Sequence, residues 1–394
     1  MIALSGARVV TPLGVIPDGW LTVDAERIVG VGSGPPEGRF DAIDLHGAWV
    51  VPGFVDLHVH GGGGHSVTNG DPEEAAQAVA FHERHGTTTT LLSLVTAPVD
   101  HLVRAVASLA DLVERHLRPD GVAGRVAGIH LEGPFLSQVR CGAQDPRWMI
   151  DPDPETVERL LQAGRGCIRV VTIAPERSGA LAAIQQLRAA QVMPAIGHTD
   201  ASHDGTLAAF DAGARLVTHL CNAMGPFHHR EPGAVGASLD DRRVVCEVIA
   251  DGHHVHPSVV RTIMAAKGCD GIALITDAIA AAGSGDGEYD LGGQVVVVRN
   301  GVARQKTTGA LAGSTLTMAD AFANVVHWGV SVADASQMAS LVPARMLGLA
   351  DIVGSIEVGK SADLVVLDDA LSVIAVVAGG RVVRGAELLS RGAR

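Results

Sequence analysis

The chain has 394 residues, of which 47% are hydrophobic and 19% charged, and its formal net charge is −13. This composition excludes disordered and fibrous proteins and indicates a folded α/β protein with a large core. The acidic balance, without a run of five or six like charges, argues against nucleic acid or an anionic membrane as a general partner.

The cysteines and the N-terminal segment give an expectation about location. Five cysteines lie scattered without CxxC spacing, which favours a reducing compartment over a disulfide frame or a thiolate zinc site. The first residues lack a basic segment followed by an apolar core, and no stretch approaches about 18 uninterrupted apolar residues. We therefore expect a cytoplasmic protein that does not span a membrane.

The two ends of the chain are predicted to form one small β-domain. The first 50 residues alternate in short strand-like pieces that are broken by Gly, Pro and Asp turns. The segments GSIEVGKSADLVVLD (354–368) and VIAVVAGGRVVRG (373–385) repeat this pattern near the C-terminus. We therefore assign residues 1–50 and 350–394 to a small β-sandwich domain, and residues 51–349 to the main domain.

Between these ends, apolar β-rich runs alternate with helical patterns, which is typical of repeated βα units. Helices are predicted at 71–86, 99–117, 154–164, 178–191 and 202–213, several of them beginning at Asp, Ser or Pro and ending at Gly. Strands are predicted at 54–60, 87–95, 126–132, 168–174, 193–198, 215–219, 244–250 and 272–277. Eight such strands close a (β/α)8 TIM-type barrel.

A Gly-rich segment, residues 287–314, follows the eighth predicted strand and is predicted to hold a β-hairpin. Helices are predicted after it, from about residue 315 to residue 349.

Six imidazole and carboxylate groups fall at the carboxyl ends of five predicted strands, the face on which this barrel builds active sites. Because side chains alternate across a strand, the two histidines of the first strand share a face and can converge. Four imidazoles and two carboxylates without cysteine favour a catalytic divalent metal such as zinc, iron or manganese. The six are His58, His60, Glu132, His198, His219 and Asp277.

The alternative is that these are ordinary core or surface residues, which is the commoner role of a single histidine in a strand. Six coincidences at strand ends make that alternative the weaker one. Asp56 and His130 share the inward faces and are interpreted as supporting groups rather than primary ligands. The glycines from Gly61 to Gly64 allow the backbone to turn sharply over the barrel mouth.

Several motifs carry a resemblance to a known family: PGFVDLHVHG (52–61), HLEGPFL (130–136), IGHTDA (196–201), THLCNAMGPFHHREPG (218–233), ADGHHV (250–255), LITDA (274–278) and LAGSTLTM (311–318). Through them the chain resembles the amidohydrolase superfamily over essentially its whole length, and within it the amino-sugar-phosphate deacetylases. The resemblance implies a (β/α)8 barrel with a small β-sandwich from both chain ends, commonly in a homodimer. It also implies that Glu132 takes the metal-bridging role that a carboxylated lysine has in other subgroups.

The resemblance further implies a substrate site and a metal content. Because the chain keeps both histidines of the HxH pair, we expect two divalent ions, zinc first, with iron, manganese and cadmium as alternatives. Arg230 is expected to be available to the neighbouring subunit's site, since an arginine fork suits phosphate. The residues assigned to the sugar phosphate are Ala143, Gln144, Asn222, Ala223, Arg230 and His254.

Gln144 departs from the family pattern, which usually has a histidine after Gly-Ala. Glutamine donates a hydrogen bond but cannot become cationic, so we expect weaker stabilisation of the reacting carbonyl oxygen.

The implied reaction is hydrolysis of the acetamide of N-acetylglucosamine 6-phosphate to glucosamine 6-phosphate and acetate. Asp277 is predicted to take a proton from the attacking water and to pass it to the departing amine. Two alternatives stay open. One is deacetylation of another N-acyl amino sugar or of an N-acyl amino acid, and the other is a catalytically weakened barrel used for binding.

Overall fold

A closed barrel of parallel strands forms the centre of the molecule. The structure, a computed structural model, describes residues 2–34, 42–116 and 126–389. The barrel closes beyond the regular parts of its first and last strands, where His60 N donates to Ala278 O (2.8 Å) and Asp277 N donates to His58 O (2.9 Å). The eight strands, paired in chain order, are Phe54–Asp56, Thr87–Val95, Val126–Glu132, Ile168–Ile173, Met193–Ile196, Leu216–Val217, Val245–Ile249 and Ile272–Ile275.

Each of these strands overlaps one of the predicted strands, and the predicted fold class is confirmed. The strands consist largely of buried residues on both faces, because helices cover the outside of the barrel and side chains fill the inside. Parallel pairing brings all carboxyl ends to one rim, which is where the predicted ligands lie.

Helices alternate with the strands around the barrel. The first begins after Asp71, whose side chain accepts hydrogen bonds from Glu73 N and Glu74 N. All five helices predicted between the strands are present, and the predicted helical region after residue 315 is also confirmed. The α-helices are Pro72–Arg84, Val99–His116, Pro154–Gly164, Ala180–Ala189, His203–Ala212, Gly233–Asp240, Pro257–Lys267, Met318–His327, Val332–Ser336, Val342–Met346 and Ala386–Leu389, with a π-helical turn at Gln337–Leu341 and 3₁₀ turns at Gln138–Arg140, Pro146–Trp148 and Cys269–Gly271.

Three of these helices, Gly233–Asp240, Pro257–Lys267 and Ala386–Leu389, were not predicted from the sequence. The first has eight residues and begins with a glycine, so it carries little helical signal of its own. Packing against the barrel decides that it forms. Within the described residues, no helix combines the length and the apolarity that crossing a membrane requires.

Strands from both ends of the chain form a second sheet, as predicted. Its core is a cluster of buried aliphatic residues that includes Leu21 and Val50 from the N-terminal part and Leu364 and Val377 from the C-terminal part. The residue bounds of the two domains stay a prediction. The strands of this sheet are Ile2–Thr11, Gly14–Asp24, Arg27–Ser33, Ile43–Asp44, Trp49–Pro52, Leu364–Leu367, Val373–Ala378 and Arg381–Arg384.

The segment after the eighth barrel strand holds three antiparallel strands, one more than the predicted hairpin: Gly287–Leu291, Gln294–Arg299 and Val302–Gln305. The extra strand pairs across the turn at Asn300 and Gly301, both of which adopt a positive φ that suits a tight hairpin turn. Leu291 and Val296 of this small sheet pack in one apolar cluster with Ile279 and Ala143 at the barrel mouth. A further strand pair, Gly61–Gly62 with His65–Ser66, follows the first barrel strand.

Candidate metal centre

The six predicted ligands meet at the carboxyl rim of the barrel, and all of them are buried. His58 Nε2 lies 2.9 Å from His60 Nε2, and His198 Nε2 lies 3.2 Å from His219 Nε2. The six side chains form two groups, within each of which the ligand atoms lie no more than 4.8 Å apart. One group is His58, His60 and Asp277, and the other is Glu132, His198 and His219.

Glu132 lies between the two groups and contacts both. Its Oε2 is 3.2 Å from His60 Nε2, while its Oε1 is 2.9 Å from His219 Nε2 and 3.0 Å from His198 Nε2. A carboxylate in this position offers one oxygen to each group. The bridging role that the sequence resemblance implied for Glu132 stays a prediction.

The hydrogen-bond partners of three imidazoles leave their Nε2 atoms free to bind a cation. His60 Nδ1 lies 3.0 Å from Ser93 O, and His198 Nδ1 lies 2.8 Å from Arg140 O. His58 Nδ1 lies 3.3 Å from a carboxylate oxygen of Glu247. Because these oxygens only accept, the neutral rings carry their hydrogen on Nδ1 and turn an Nε2 lone pair toward the centre. Such a donor set fits divalent metal ions.

The charges in the centre reinforce one another. Burial acts to lower the pKa of His58, but the carboxylates of Asp277 and Glu132 raise that pKa well above its ordinary value. Burial likewise acts to raise the pKa of Glu132, yet the imidazoles of His58 and His198 hold it well below its usual range. His58 and His60 also lower the pKa of Asp277 against the effect of burial. Both carboxylates are therefore ionised at neutral pH, and the centre attracts positive charge.

Left-handed backbone at three strand ends directs ligands into the barrel mouth. His198, His219 and Asp277 have φ values of +47°, +31° and +50°. Non-glycine residues rarely adopt this region, and where they do the strain is concentrated at functional sites. The backbone turns sharply at the end of each strand, and the side chains converge.

Asp56 and His130, which the sequence analysis interprets as supporting groups, are buried and both contact His58. Asp56 accepts hydrogen bonds from Thr276 Oγ1 (2.6 Å) and from the backbone N of His58 (3.2 Å). Burial raises the pKa of Asp56 to about 7. His130 Nε2 lies 2.8 Å from Thr172 Oγ1, and neither Asp56 nor His130 belongs to the two groups of candidate ligands.

A cavity lies directly above the two groups and is lined by most of the residues predicted to bind substrate. It reaches His60, Glu132 and Asp277 at its floor. Leu291 and Leu311, which the sequence analysis did not single out, form part of its apolar wall. The predicted substrate residues that line it are Ala143, Gln144, Asn222, Ala223 and His254.

Arg230 is the one predicted substrate residue that lies outside this cavity. It is exposed, with Nη1 2.9 Å from His229 Nε2, and it lines a separate groove with Asp200 and Glu231. Within a single chain, therefore, the structure does not bring Arg230 to the candidate centre.

Gln144 is held in one orientation. Its Oε1 accepts a hydrogen bond from the backbone N of Thr96 (2.8 Å), and its Nε2 lies 3.5 Å from His198 Nε2. Because the oxygen is occupied by Thr96, the amide NH₂ is turned toward His198 Nε2, at the wall of the cavity that both residues line. The side chain is placed to donate a hydrogen bond there, as a neutral group.

Glu247 is a buried charged residue beside the candidate ligands that sequence reasoning missed. It interrupts the apolar strand Val245–Ile249, and a charged residue at an inward position of a buried strand was the available signal. Its Oε2 contacts His58 Nδ1 and the backbone N of His219.

The sequence model of the amidohydrolase family matches residues 49–383. The chain therefore belongs to the amidohydrolase family, a family of metal-dependent hydrolases. It is 41% identical over 325 residues to N-acetylgalactosamine-6-phosphate deacetylase from Escherichia coli O157:H7, covering 82% of this chain and 85% of that protein. It is 34% identical over 384 residues to N-acetylglucosamine-6-phosphate deacetylase from Bacillus subtilis (strain 168), covering 97% of this chain and 96% of that protein.

A solved structure shows the same architecture. A mutant of N-acetyl-D-glucosamine-6-phosphate deacetylase from Mycobacterium smegmatis, in complex with N-acetyl-D-glucosamine-6-phosphate, is 46% identical to this chain. It superimposes with a TM-score of 0.92 over 97% of this chain and 99% of that one.

Proposed function

We propose that this enzyme hydrolyses the acetamide of N-acetylglucosamine 6-phosphate to glucosamine 6-phosphate and acetate. The observation that carries the proposal is the convergence of six buried imidazole and carboxylate groups on the floor of one cavity, with Glu132 between the two groups. Relatives with this named activity match the chain over nearly its full length.

The donor atoms support one divalent ion in each group, with zinc as the proposed metal. His58, His60 and Asp277 would hold one ion, His198 and His219 the other, and Glu132 would contact both. When bound, such an ion lowers the pKa of a water toward about 7 and polarises an amide carbonyl.

The protein's own groups move the proton and stabilise charge. The nearby imidazoles of His58 and His60 overcome the effect of burial and lower the pKa of Asp277, so its carboxylate is ionised and can accept the proton of the attacking water. Asp277 then passes that proton to the departing amine, which leaves as the neutral amino sugar. Gln144 donates its amide hydrogen to the oxygen on which negative charge develops.

Substrate binding is proposed to use both subunits of a homodimer. His254 Nδ1 lies 2.6 Å from Asp251 Oδ2, which fixes the ring at the cavity edge beside Asn222 and Ala223. Arg230 is exposed and lies outside its own cavity, so it is free to reach the phosphate in the partner's site. An arginine there also explains how a chain of net charge −13 binds a dianion.

The proposed compartment is the cytoplasm. All five cysteines are free, including the buried Cys167 and Cys246, which supports the expected reducing compartment.

The test of the substrate is a comparison of kcat/KM for acetate release from three sugars by the metal-loaded enzyme. N-acetylglucosamine 6-phosphate is expected to react much faster than N-acetylglucosamine, because the phosphate supplies binding energy to the transition state. Equal rates on both would contradict the phosphate site. Exhaustive chelation should abolish turnover, and added zinc should restore it.

The third sugar is N-acetylgalactosamine 6-phosphate, the second candidate substrate. The 41% identity to a deacetylase named for this sugar favours including it. The two sugars differ only in the orientation of the hydroxyl at C4, and the proposed chemistry at the acetamide is the same for both. A higher kcat/KM on this sugar would replace the glucosamine assignment and leave the reaction class unchanged.

Mixing two inactive variants tests the shared site. Arg230→Ala lacks the phosphate contact and Asp277→Asn lacks the base, so each homodimer should be nearly inactive. After subunit exchange, roughly a quarter of wild-type activity should return, because half of the dimers are mixed and each has one complete site. No recovery would contradict the contribution of Arg230 across the interface.

A further inference from the structure

Glu247 lies inside the barrel, and its side chain has no exposed surface. Its Oε2 is 3.3 Å from His58 Nδ1 and 3.3 Å from the backbone N of His219. A single carboxylate oxygen therefore contacts one residue from each of the two ligand groups, on the side away from the cavity.

A buried carboxylate in this position is costly to the fold. Within the described part of the chain, its other oxygen, Oε1, has no hydrogen-bond partner. Burying a charged group without full hydrogen bonding lowers stability, and an apolar residue would suit the interior of a barrel better. The cost points to a role in function rather than in folding.

The contact with His58 determines which ring nitrogen faces the centre. Because the carboxylate only accepts, it keeps the hydrogen of the neutral ring on Nδ1 and leaves Nε2 bare. That Nε2 atom lies 2.9 Å from His60 Nε2 and 3.6 Å from Asp277 Oδ1. The contact with the amide of His219 also holds a residue whose φ is +31°.

We propose that Glu247 is a positioning residue that fixes the ring of His58 for metal binding and adds negative charge behind it. The inference rests on the proposed two-metal centre and assigns a new residue to it. Glu247 contacts the ring of His58 but only the backbone amide of His219. Its loss should therefore weaken the ion held by His58, His60 and Asp277 selectively.

The test is a zinc titration of metal-free protein in competition with a chromophoric chelator. Wild type is expected to bind two ions. In Glu247→Ala, one ion should bind as in wild type and the other about 10- to 100-fold more weakly, the usual cost of losing a partner behind a metal ligand. In Glu247→Gln the loss should be near 10-fold, because the amide oxygen still accepts from His58 but carries no charge.

Cys246→Ala is the matched control. Cys246 precedes Glu247 on the same strand, is equally buried, and directs its Sγ toward Ser238 O (3.8 Å) on the opposite face. This variant should lose some thermal stability and bind both ions as wild type does. It separates a general loosening of the strand from a specific loss of metal affinity.

Unchanged affinity for both ions in Glu247→Ala and Glu247→Gln would overturn the role of Glu247 and leave the proposed centre intact. A wild type that binds fewer than two ions would overturn the two-metal centre and this inference together. If the alanine variant does not fold, the glutamine variant decides: an unchanged second dissociation constant overturns the role, and a weakened one supports it.

Discussion

Asp277 closes the seam of the barrel and faces both histidines of the HxH pair. Its Oδ1 lies 3.4 Å from His60 Nε2 and 3.6 Å from His58 Nε2, and its side chain also reaches the cavity. A group in this place can bind metal and exchange a proton with bound substrate.

Asp277→Asn keeps the shape of the side chain and removes the base. We expect kcat to fall by about 10²- to 10⁴-fold, the usual contribution of general acid–base catalysis. Metal at the Glu132 group and the melting temperature should stay near wild type. Steady-state acetate release and metal analysis check this, and turnover near the wild-type rate would show that the base lies elsewhere.

Gln144 offers a second prediction at this scale, because the bond from Thr96 N turns its NH₂ toward His198 Nε2 at the cavity wall. Gln144→Leu removes the donor at nearly constant volume. We expect kcat to fall by about 10²- to 10³-fold, as when one oxyanion donor is lost. Metal content should not change. Gln144→His, which restores the usual family residue, is the companion variant and should retain activity.

At the scale of elements, three of the four glycines after His60 are required for different reasons. A Cβ on Gly61 would lie 2.5 Å from His65 O and 2.7 Å from Ala280 N, both of which are backbone atoms. A Cβ on Gly62 would meet the side chains of Phe81 and His82. Gly64 has room for a side chain but adopts a φ of +89°.

Gly61→Ala is therefore expected to disrupt the segment, since backbone on both sides cannot move away. We expect a loss of roughly 3 kcal/mol in the free energy of unfolding, at the upper end for over-packing, together with lost metal at the adjacent HxH pair. Gly64→Ala is the control and should cost about 1 kcal/mol from left-handed strain alone. Thermal unfolding and metal content test whether Gly61→Ala loses more stability and more metal than Gly64→Ala. Equal losses in the two variants would contradict this prediction.

Most helices and strands could be predicted from the sequence. Short elements that carry no hydrophobic or capping pattern of their own could not. The barrel strands are apolar runs bounded by turn residues, and several barrel helices begin at capping residues such as Asp71 and Ser202, so local signals agree with the fold. The helix Gly233–Asp240 and the third strand, Val302–Gln305, form because neighbouring elements provide their partners.

For the molecule as a whole, Asp363 links the terminal sheet to the barrel. Its backbone oxygen accepts from Gly53 N (2.8 Å), just before the first barrel strand, and its Oδ1 accepts from Gly379 N (2.7 Å). Burial raises the pKa of Asp363 to about 6, from an ordinary value of 3.8.

The raised pKa makes a pH-dependent contribution to stability. Between about pH 4 and pH 6 the folded carboxyl keeps a proton that the unfolded chain has lost, so stability falls as pH rises through this window. The loss at pH 7 is at most about 3 kcal/mol. Asp363→Asn should therefore melt above wild type at pH 7 and match it near pH 4. If the melting temperatures of Asp363→Asn and wild type differed by the same amount at pH 4 and pH 7, the raised pKa of Asp363 would not be the cause.

By itself, the sequence determined the barrel, the terminal β-domain and the identities of the six candidate ligands. Alternation along a strand and the shared rim of parallel strands are local rules, and they place His58 beside His60 and aim the other candidates at the same end. Which ligands share a group was decided by the tertiary structure, whereas a role for Glu132 between two ions was already implied by the family resemblance.

The tertiary structure also turned the amide of Gln144 toward the cavity, left Arg230 outside it, and set Glu247 behind His58. Each of these depends on distances between residues far apart in the chain. Such distances follow from how the strands are staggered and how their ends turn when the sheet closes, and no local pattern in the sequence encodes them.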